Sequence, residues 1–244
     1  MAKKIRADQL VFEQGGAATL EDARRLIMAG KIRSSTDHVI HKSNEMLNPE
    51  ITLIVEAPRG YVSRGAYKLK PALLKYKSDL NTCVALDIGA STGGFTDLML
   101  QQGASTVYAV DSGTGQLHIQ LREDKRVVCM EKTNARYLTK DDVPELVDIV
   151  TIDVSFISIK SVLSPLAALL KENAFLFFLI KPQFECHPAD APKGVVVNPQ
   201  IHTDVLQDVQ NFVSQKFTWK LREIMPAEIK GPKGNQEFIA IYQN

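Results

Sequence analysis

Apolar residues form five short runs in the chain after about residue 80. The runs cover 84–88, 107–110, 127–130, 147–152 and 174–180. Continuous apolar runs of this length, separated by more polar stretches, are typical of strands that are buried on both faces. Helical spacing follows the first run at Phe95, Leu98 and Met99, and recurs over 157–170 and 201–216. The alternation predicts a mostly parallel sheet wrapped by helices, and 219–225 with 236–242 predict a final antiparallel pair.

The pattern before residue 57 is different and predicts a small separate module. Residues 7–14 predict a short helix that two glycines end, and Thr19-Leu-Glu-Asp22 resembles a capping box that opens a second helix ending at Gly30. Short strands are predicted at 39–40 and 51–55. The segment Ala57-Pro58-Arg59-Gly60 then predicts a linker, because Pro and Gly interrupt regular structure.

A glycine-rich turn follows the first strand, in Asp87-Ile-Gly-Ala-Ser-Thr-Gly-Gly-Phe-Thr-Asp97. A strand, a glycine turn and a helix can hold a nucleotide-like cofactor, because glycine lets the backbone approach the ligand closely. Asp111 follows the second strand, where an acid can accept the hydroxyls of a ribose. The spacing differs from that of dinucleotide sites, and the leading acid Asp87 favours a cationic ligand such as S-adenosylmethionine. A plain strand-to-helix turn is the alternative.

The overall charge gives no sign of nucleic-acid binding, so any basic surface is local. The chain of 244 residues has 29 Lys and Arg against 28 Asp and Glu, a net charge of +1. Between residues 59 and 77 there are basic residues without acids, and tyrosines lie among them. Phosphate contacts and aromatic stacking surfaces are what RNA binding requires. If Ser63 caps a helix here, Pro71 is expected to kink or restart that helix.

The remaining composition is that of an ordinary globular protein. Cys83, Cys129 and Cys186 are scattered, and those in apolar strands are expected to be buried, inert thiols. The sequence predicts no disulfide and a cytoplasmic location. No apolar stretch follows Lys3, Lys4 and Arg6, and the run 174–180 is too short to span a bilayer, so neither an export signal nor stable membrane insertion is expected. No metal site is predicted.

Four charged residues close or begin predicted elements near the expected cofactor edge: Lys68, Asp153, Lys181 and Glu237. Two lysines and two carboxylates in a cleft can do acid–base work, because burial and a neighbouring cation favour a neutral amine that can act as a base. Buried ion pairs without a catalytic role are the alternative. Spacing alone does not choose between these interpretations.

Several longer motifs are similar to those of a known family. From Tyr61 onward the chain resembles the TlyA family of ribosomal RNA ribose methyltransferases, within the FtsJ/RrmJ class, whose members are often called hemolysins. The matching segments are Tyr61-Val-Ser-Arg-Gly-Ala-Tyr-Lys68, 87–97, Thr133-Asn-Ala-Arg-Tyr137, 151–158, Lys181-Pro-Gln-Phe-Glu185, 193–196 and Gly231-Pro-Lys-Gly-Asn-Gln-Glu-Phe238. The helix 8–13 and the segment 23–32 resemble an S4 RNA-binding domain, although Arg33-Ser-Ser-Thr-Asp37 departs from the turn that follows in that family.

The resemblance implies a Rossmann-like class I methyltransferase sheet with helices on both faces, preceded by a small α+β S4-like domain. The domains would be 1–56, a linker 57–62 and 63–244. It also implies S-adenosylmethionine as the cofactor, and ribosomal RNA or a ribosomal subunit as the partner, with transfer to a cytidine ribose 2′-hydroxyl.

Three sets of site residues follow from these observations and the resemblance. The catalytic tetrad would be Lys68, Asp153, Lys181 and Glu237, with Lys181 as the main base. The cofactor would contact Asp87, Gly89, Ser91, Gly93, Gly94, Asp111 and Asn134. RNA would contact Arg6, Arg24, Arg25, Lys31, Arg59 and Arg64.

Other functions compete with this interpretation. A hemolysin or cytolysin is one, although the sequence lacks the export signal and spanning segment that would favour it. A non-catalytic RNA-binding protein is another, and the intact tetrad weighs against it. A nicotinamide-dependent oxidoreductase is disfavoured by the missing dinucleotide fingerprint.

Overall fold

The computed structural model describes residues 4–17, 19–35, 38–55, 60–231 and 233–244. The chain divides into two compact units, residues 1–60 and 61–244. The boundary lies within the expected linker 57–62, of which residues 57–59 are outside the described residues.

The first unit packs two helices against short strands. Its elements are β1 (Ile5–Arg6), α1 (Ala7–Glu13), α2 (Leu20–Met28), β2 (Ile32–Ser34), β3 (Met46–Leu47) and β4 (Leu53–Val55). β1 pairs with β3 and β2 pairs with β4, both antiparallel. The predicted capping contact is present, since the Thr19 hydroxyl accepts the N–H of Asp22 at 3.1 Å. The predicted strand at 39–40 is wrong: Val39 makes only a single bridge to Arg33, and Ile40 is instead a buried core residue.

The second unit is built on a seven-stranded sheet. Its helices are α3 (Ala66–Tyr76), α4 (Gly94–Gln101), α5 (Ile119–Arg122), α6 (Lys160–Leu163), α7 (Pro182–Glu185) and α8 (Pro199–Lys216). Its strands are β5 (Val84–Ile88), β6 (Thr106–Val110), β7 (Val127–Met130), β8 (Val147–Ile152), β9 (Leu170–Ile180), β10 (Lys220–Pro226) and β11 (Phe238–Gln243).

The strand order of the sheet determines where a ligand can bind. The order is β10-β11-β9-β8-β5-β6-β7, and the five strands from β9 to β7 are parallel to one another. β11 pairs antiparallel with β9 and β10, which confirms the predicted final pair. Because β5 has β6 on one side and β8 on the other, the strand order reverses there, and open sheets of this type bind ligands at the carboxyl ends beside such a reversal.

Helices cover both faces of this sheet, as the sequence predicts. Along β5, Leu86 and Ile88 pack on one face with Val209 of α8, whereas Ala85 packs on the other face with Leu98 of α4. Every residue of β5 is buried. A strand that is enclosed on both faces needs apolar residues at consecutive positions, which explains the continuous apolar run.

Three local predictions in this unit are wrong. α3 continues through Pro71 without a restart, and its N-cap is Gly65, while the Ser63 hydroxyl accepts the N–H of Gly65 at 3.1 Å. Leu69 and Leu73 of α3 are buried in the core, and this packing compensates for the hydrogen bond that proline cannot donate. The helical spacing over 157–170 yields only the four-residue α6 and a 3₁₀ helix, Ser164–Ala168, that contains Pro165.

The third wrong prediction concerns Cys129, whereas the predicted burial of Cys83 is confirmed. Cys83 is buried, and burial raises the pKa of its thiol. Cys129 is exposed, because β7 lies at the edge of the sheet, and Cys186 is partly buried.

Candidate active site

The turn after β5 requires glycine, because it packs closely against the end of the neighbouring strand β8. Gly89 has a φ of +79°, and a Cβ at this position would lie 2.4 Å from the carbonyl oxygen of Asp153. Ser91 also has a positive φ, of +49°. Only glycine fits such contact with the end of β8, so the turn brings the carboxyl ends of β5 and β8 together.

Asp87 lies beneath this turn and is fully buried. Its carboxylate accepts the hydroxyls of Thr96 at 2.6 Å and Thr151 at 2.9 Å. Burial raises the pKa of Asp87 to about 6, although the two hydroxyl donors oppose the shift. Asp87 therefore keeps its proton to a higher pH than an exposed aspartic acid does.

Gly93 and Gly94, at the start of α4, allow close packing of neighbouring segments as well as the turn. A Cβ on Gly93 would lie 2.1 Å from a methyl group of Leu121, and its φ is +95°. A Cβ on Gly94 would lie 3.0 Å from the backbone nitrogen of Ala66 at the start of α3. Gly94 also lines a cavity, whereas Gly93 contacts the segment that contains α5.

Asp111 directly follows β6 and organises the neighbouring backbone. Its two carboxylate oxygens accept the N–H of Ser91 at 2.8 Å and the N–H of Gly113 at 2.7 Å. It lines a cavity of about 530 Å³ together with Gly89, Ser91 and Asn134. Apolar side chains form the rest of the wall, among them Ile88, Val110, Ile157 and Val162. A carboxylate beside an apolar wall suits a nucleoside, which presents ribose hydroxyls and a flat base.

Glu131 fixes the loop beside this second cavity, and the sequence analysis missed it. Its carboxylate accepts the N–H groups of Gly115 at 2.9 Å and Gln116 at 3.1 Å, and it pairs with Arg122. These backbone donors, with the nearby guanidinium, lower the pKa of Glu131 to about 2. The available signal was its position at the end of the third parallel strand, immediately after β7.

The four charged residues of the predicted tetrad converge on one larger cavity, of about 880 Å³. Lys68 Nζ lies 2.6 Å from Glu237 Oε2. Lys181 Nζ lies 2.5 Å from Asp153 Oδ1 and donates to the Ser155 hydroxyl at 2.8 Å. Glu237 and Lys181 are both buried, with 1% and 8% of their surface exposed. The cluster is therefore two ion pairs that face a common cavity.

Four different elements supply these side chains. Lys68 lies on α3, Asp153 follows β8, and Lys181 follows β9. Phe238 pairs with Ile180 in the antiparallel β11–β9 ladder, so the preceding Glu237 lies beside Lys181. The register of a strand pair thus unites residues that are 56 positions apart in the sequence.

Glu185 is a second residue that the sequence analysis left without a role. Its carboxylate accepts the Ser158 hydroxyl and the N–H of Ile159, each at 2.6 Å. Burial raises the pKa of Glu185. The neighbouring Phe184 packs on Phe156 with ring centroids 5.1 Å apart. Glu185 therefore ties α7, directly after Lys181, to the loop that carries Asp153 and Ser155.

Gln183 is a further missed residue, and it lines the larger cavity. Its side-chain N–H group lies 3.4 Å from Glu237 Oε1, and its own amide oxygen is buried without a hydrogen-bond partner among the described residues. It comes two positions after Lys181, within the segment Lys181-Pro-Gln-Phe-Glu185.

The basic candidates of the first unit are largely paired within that unit. Arg6 and Arg24 both contact the buried carboxylate of Asp8, at 2.8 and 2.9 Å. These guanidinium groups hold the pKa of Asp8 well below its usual range. Arg25 pairs with Glu21 at 2.9 Å, yet about 73% of its side chain stays exposed.

The other RNA-binding candidates are distributed differently. Lys31 is in the first unit, on the turn between α2 and β2. Arg59 lies outside the described residues, and Arg64 lines the larger cavity of the second unit. Among the described residues, no group of three or more His, Cys, Asp or Glu side chains is placed to hold a metal ion.

Comparison with known proteins identifies the family. The model described as FtsJ-like methyltransferase matches residues 61–243. A Bacillus subtilis protein named as a candidate rRNA methyltransferase is 42% identical over 242 residues, which are 98% of this chain and 85% of that protein. The 16S/23S rRNA (cytidine-2′-O)-methyltransferase TlyA of Mycobacterium tuberculosis is 37% identical over 241 residues, 98% of this chain and 90% of that protein.

A solved structure agrees with these matches. A Streptococcus thermophilus protein named as a candidate hemolysin has a TM-score of 0.73 and 38% identity, and the match covers 100% of this chain and 90% of that one. The chain therefore belongs to the FtsJ-like methyltransferases and, among them, to the TlyA family. This confirms the predicted class I methyltransferase fold and S-adenosylmethionine as the cofactor. Every helix that the structure describes is too short or too polar to cross a membrane.

Proposed function

We propose that this enzyme transfers a methyl group from S-adenosylmethionine to the ribose 2′-hydroxyl of a cytidine in ribosomal RNA. The observation that carries the proposal is the Lys181 cluster, which lies where the two cavities meet. Asp153 and Ser155, the two contacts of Lys181 Nζ, line both cavities. The name of the Mycobacterium tuberculosis relative supports the choice of a cytidine ribose.

The smaller cavity is the proposed place for S-adenosylmethionine, because its chemistry fits that molecule. Asp111 offers acceptors for the ribose hydroxyls, and the apolar wall suits the adenine. When bound there, S-adenosylmethionine supplies an electrophilic methyl group on a sulfonium. The carboxylate of Asp87, beneath the turn, favours that positive charge. The residues proposed to hold the cofactor are Asp87, Gly89, Ser91, Gly93, Gly94, Asp111 and Asn134. Of these, Gly89, Ser91, Asp111 and Asn134 line the smaller cavity, Asp87 and Gly94 line the larger cavity beside it, and Gly93 packs on Leu121 next to the turn.

The larger cavity is the proposed place for the target nucleotide. There the Lys181 amine would accept the proton of the 2′-hydroxyl as the oxygen bonds to the methyl carbon and the carbon–sulfur bond breaks, which leaves S-adenosylhomocysteine. Asp153 and Ser155 orient its Nζ, since both contact that atom. Asp153 also stabilises the ammonium that forms, because the opposite charge lies 2.5 Å away. Lys68 and Glu237, which pair at 2.6 Å and line the same cavity, are proposed to position the sugar.

The first unit is proposed to be an S4-like RNA-binding domain over residues 1–56, joined by the linker 57–62 to the methyltransferase domain 63–244. The proposed RNA contacts lie in this domain, in the linker and at the start of the second domain. They are Arg6, Arg24, Arg25, Lys31, Arg59 and Arg64. Arg25 is the most informative of these, because its guanidinium is largely exposed while Arg6 and Arg24 also hold Asp8.

The experiment is tritiated methyl transfer to unmodified ribosomal RNA. Lys181→Ala should lower kcat about 10²- to 10⁴-fold, as expected for loss of a general base, while the Kd of S-adenosylmethionine changes less than about tenfold. Lys140→Ala is the matched control, because Lys140 is exposed and lines neither cavity. Full activity of Lys181→Ala would contradict the assigned role.

Hemolysis is a second activity to test, because the Streptococcus thermophilus relative is named for it. Lysis of erythrocytes by the purified protein that survives Lys181→Ala would reveal an activity independent of methyl transfer. We expect no lysis.

A further inference from the structure

Three cations stand at the mouth of the larger cavity and have no role in the tetrad. They are Arg64, Lys230 and Lys233, which we call the cationic rim. All three are exposed, and none has an ion pair with another residue that the structure describes. None of them lines the smaller cavity. Their charge is therefore available to a ligand of the larger cavity.

The residues on either side of position 232 carry two of these cations and make several hydrogen bonds with their surroundings. Asn235, which is buried, accepts the N–H of Val196 at 2.9 Å and donates to the carbonyl of Gly194 at 2.8 Å. Within this segment, the Gly231 N–H bonds the Asn235 carbonyl at 3.0 Å. The Lys233 ammonium rests on the carbonyl of Lys193 at 3.2 Å. A side chain held on such a segment loses little entropy on binding.

This segment is also tied to the tetrad by the chain itself. Glu237, which pairs with Lys68, comes two residues after Asn235. Gly231 lies against the same carboxylate, since a Cβ there would meet Glu237 Oε1 at 2.4 Å. Lys230 and Lys233 are thus connected to the reacting centre through this segment.

Charge separates the floor of the cavity from its mouth. The acids of the cavity are Asp87, which is buried, and Asp153 and Glu237, each of which pairs with a lysine. Glu228 is an exposed acid near the rim in sequence, and it does not line the cavity. The mouth is therefore net positive, which suits a ligand whose sugar enters the cavity while its anionic groups remain outside.

We propose that the cationic rim binds the backbone phosphates on either side of the target nucleotide. The inference rests on the proposed function and names the contacts that seat the RNA strand over the catalytic cavity. A nucleotide within a chain carries a phosphodiester on both sides of its ribose. Cations at the mouth form ion pairs with these phosphates while the 2′-hydroxyl reaches Lys181. Such contacts position the strand and do not select the base.

The test compares the double variant Lys230→Ala/Lys233→Ala with wild type on in-vitro-transcribed ribosomal RNA. We expect KM for RNA to rise at least tenfold at 150 mM salt, whereas kcat at saturating RNA and the Kd of S-adenosylmethionine stay within twofold. The slope of log K against log salt for RNA binding should fall by about 1.4 to 1.8, the change for two lost phosphate contacts. Lys230→Arg/Lys233→Arg should retain both properties.

The matched control is Lys125→Ala/Lys140→Ala, which removes two exposed lysines that line neither cavity. The inference would be overturned if KM and the salt slope of the rim variant were unchanged, or if the control variant changed equally. In either case, methyl transfer by wild type would leave the proposed function intact. Conversely, wild type that transfers no methyl group to RNA, with a salt slope that still falls in the rim variant, would overturn the proposed function and support the rim as an RNA-binding surface.

Discussion

The two cavities at the carboxyl edge of the sheet differ in charge although they share a wall. The larger one is lined by the cations Arg64, Lys68, Lys181, Lys230 and Lys233 and by the acids Asp87, Asp153 and Glu237. The charged residues of the smaller one are Asp111, Asp153 and Arg136, and apolar side chains line much of the rest. One edge of one sheet therefore offers a basic site and a less basic site side by side.

The difference shows how a single fold can keep two charged substrates apart. A polyanion is attracted to the larger cavity, and a cofactor with a sulfonium is favoured near carboxylates. Gly89, Ser91, Asp153, Ser155 and Phe156 line both cavities and form the shared wall. The reacting atoms have to meet at that wall, and this is where Lys181 places its amine.

Asp111→Asn is expected to give the largest effect that is confined to one cavity, a loss of affinity for S-adenosylmethionine. An asparagine supplies one acceptor where Asp111 now bonds two backbone N–H groups, and it loses the charge that favours ribose hydroxyls. Isothermal titration should show the Kd of S-adenosylmethionine rising about 10- to 100-fold, with RNA affinity unchanged within twofold. Asp141→Asn, at an exposed position that lines neither cavity, is the control. A comparable loss of RNA affinity would mean that the cavities are not distinct sites.

An effect of about tenfold is expected from Glu185→Gln, which tests the shared wall. The variant keeps one acceptor and loses the other, so the loop that carries Asp153 and Ser155 is held less firmly. Because Glu185 acts through that loop, kcat should fall about tenfold while both substrate affinities change less than threefold. Steady-state kinetics with Glu172→Gln as the exposed control measure this split. Equal loss of kcat and of S-adenosylmethionine affinity would instead indicate general damage to the fold.

A smaller effect is expected from the titration of Asp87. Its pKa is raised to about 6 in the folded protein, so the neutral acid is favoured below that pH. A bound cation favours the carboxylate and lowers this pKa, so the affinity for S-adenosylmethionine should rise as pH increases from 5 to 7, by at most about tenfold. Asp87→Asn should flatten the profile. A wild-type affinity that does not change over this range would show that Asp87 does not interact with the cofactor charge.

The same shift has a consequence for folding. Because the folded pKa lies above the ordinary value of 3.8, the contribution of Asp87 to stability is complete below pH 3.8 and is lost as pH rises through about 6. Thermal unfolding of the cofactor-free protein should report this decline, and Asp87→Asn should remove it.

The sequence predicts the local parts of the site well. The buried strand β5, the glycine turn and Asp111 follow one another within 28 residues, and their pattern reflects short-range constraints. The four tetrad residues could be listed, but their pairing could not be chosen from spacing. The pairing depends on the β11–β9 register and on the packing of α3, which are long-range properties of the fold.

The residues that the sequence analysis missed have partners that a side-chain motif does not reveal. Glu131 bonds backbone N–H groups of a loop, and Glu185 bonds a backbone N–H and a hydroxyl 26 to 27 positions away. Likewise, the basic residues of the first unit could be counted, but the buried Asp8 that engages Arg6 and Arg24 could not be foreseen. Charge composition alone does not tell which cations are free to bind a ligand.

The position of the transferred methyl group tests the central claim most directly. Ribosomal RNA that has been methylated by the wild-type enzyme is digested to nucleosides and analysed by mass spectrometry. Catalysis by an amine that deprotonates a ribose hydroxyl predicts 2′-O-methylcytidine with wild type and, in the same incubation time, a yield at least about 100-fold lower with Lys181→Ala. A methyl group on the cytosine ring, or 2′-O-methylation by Lys181→Ala at the wild-type rate, would contradict it.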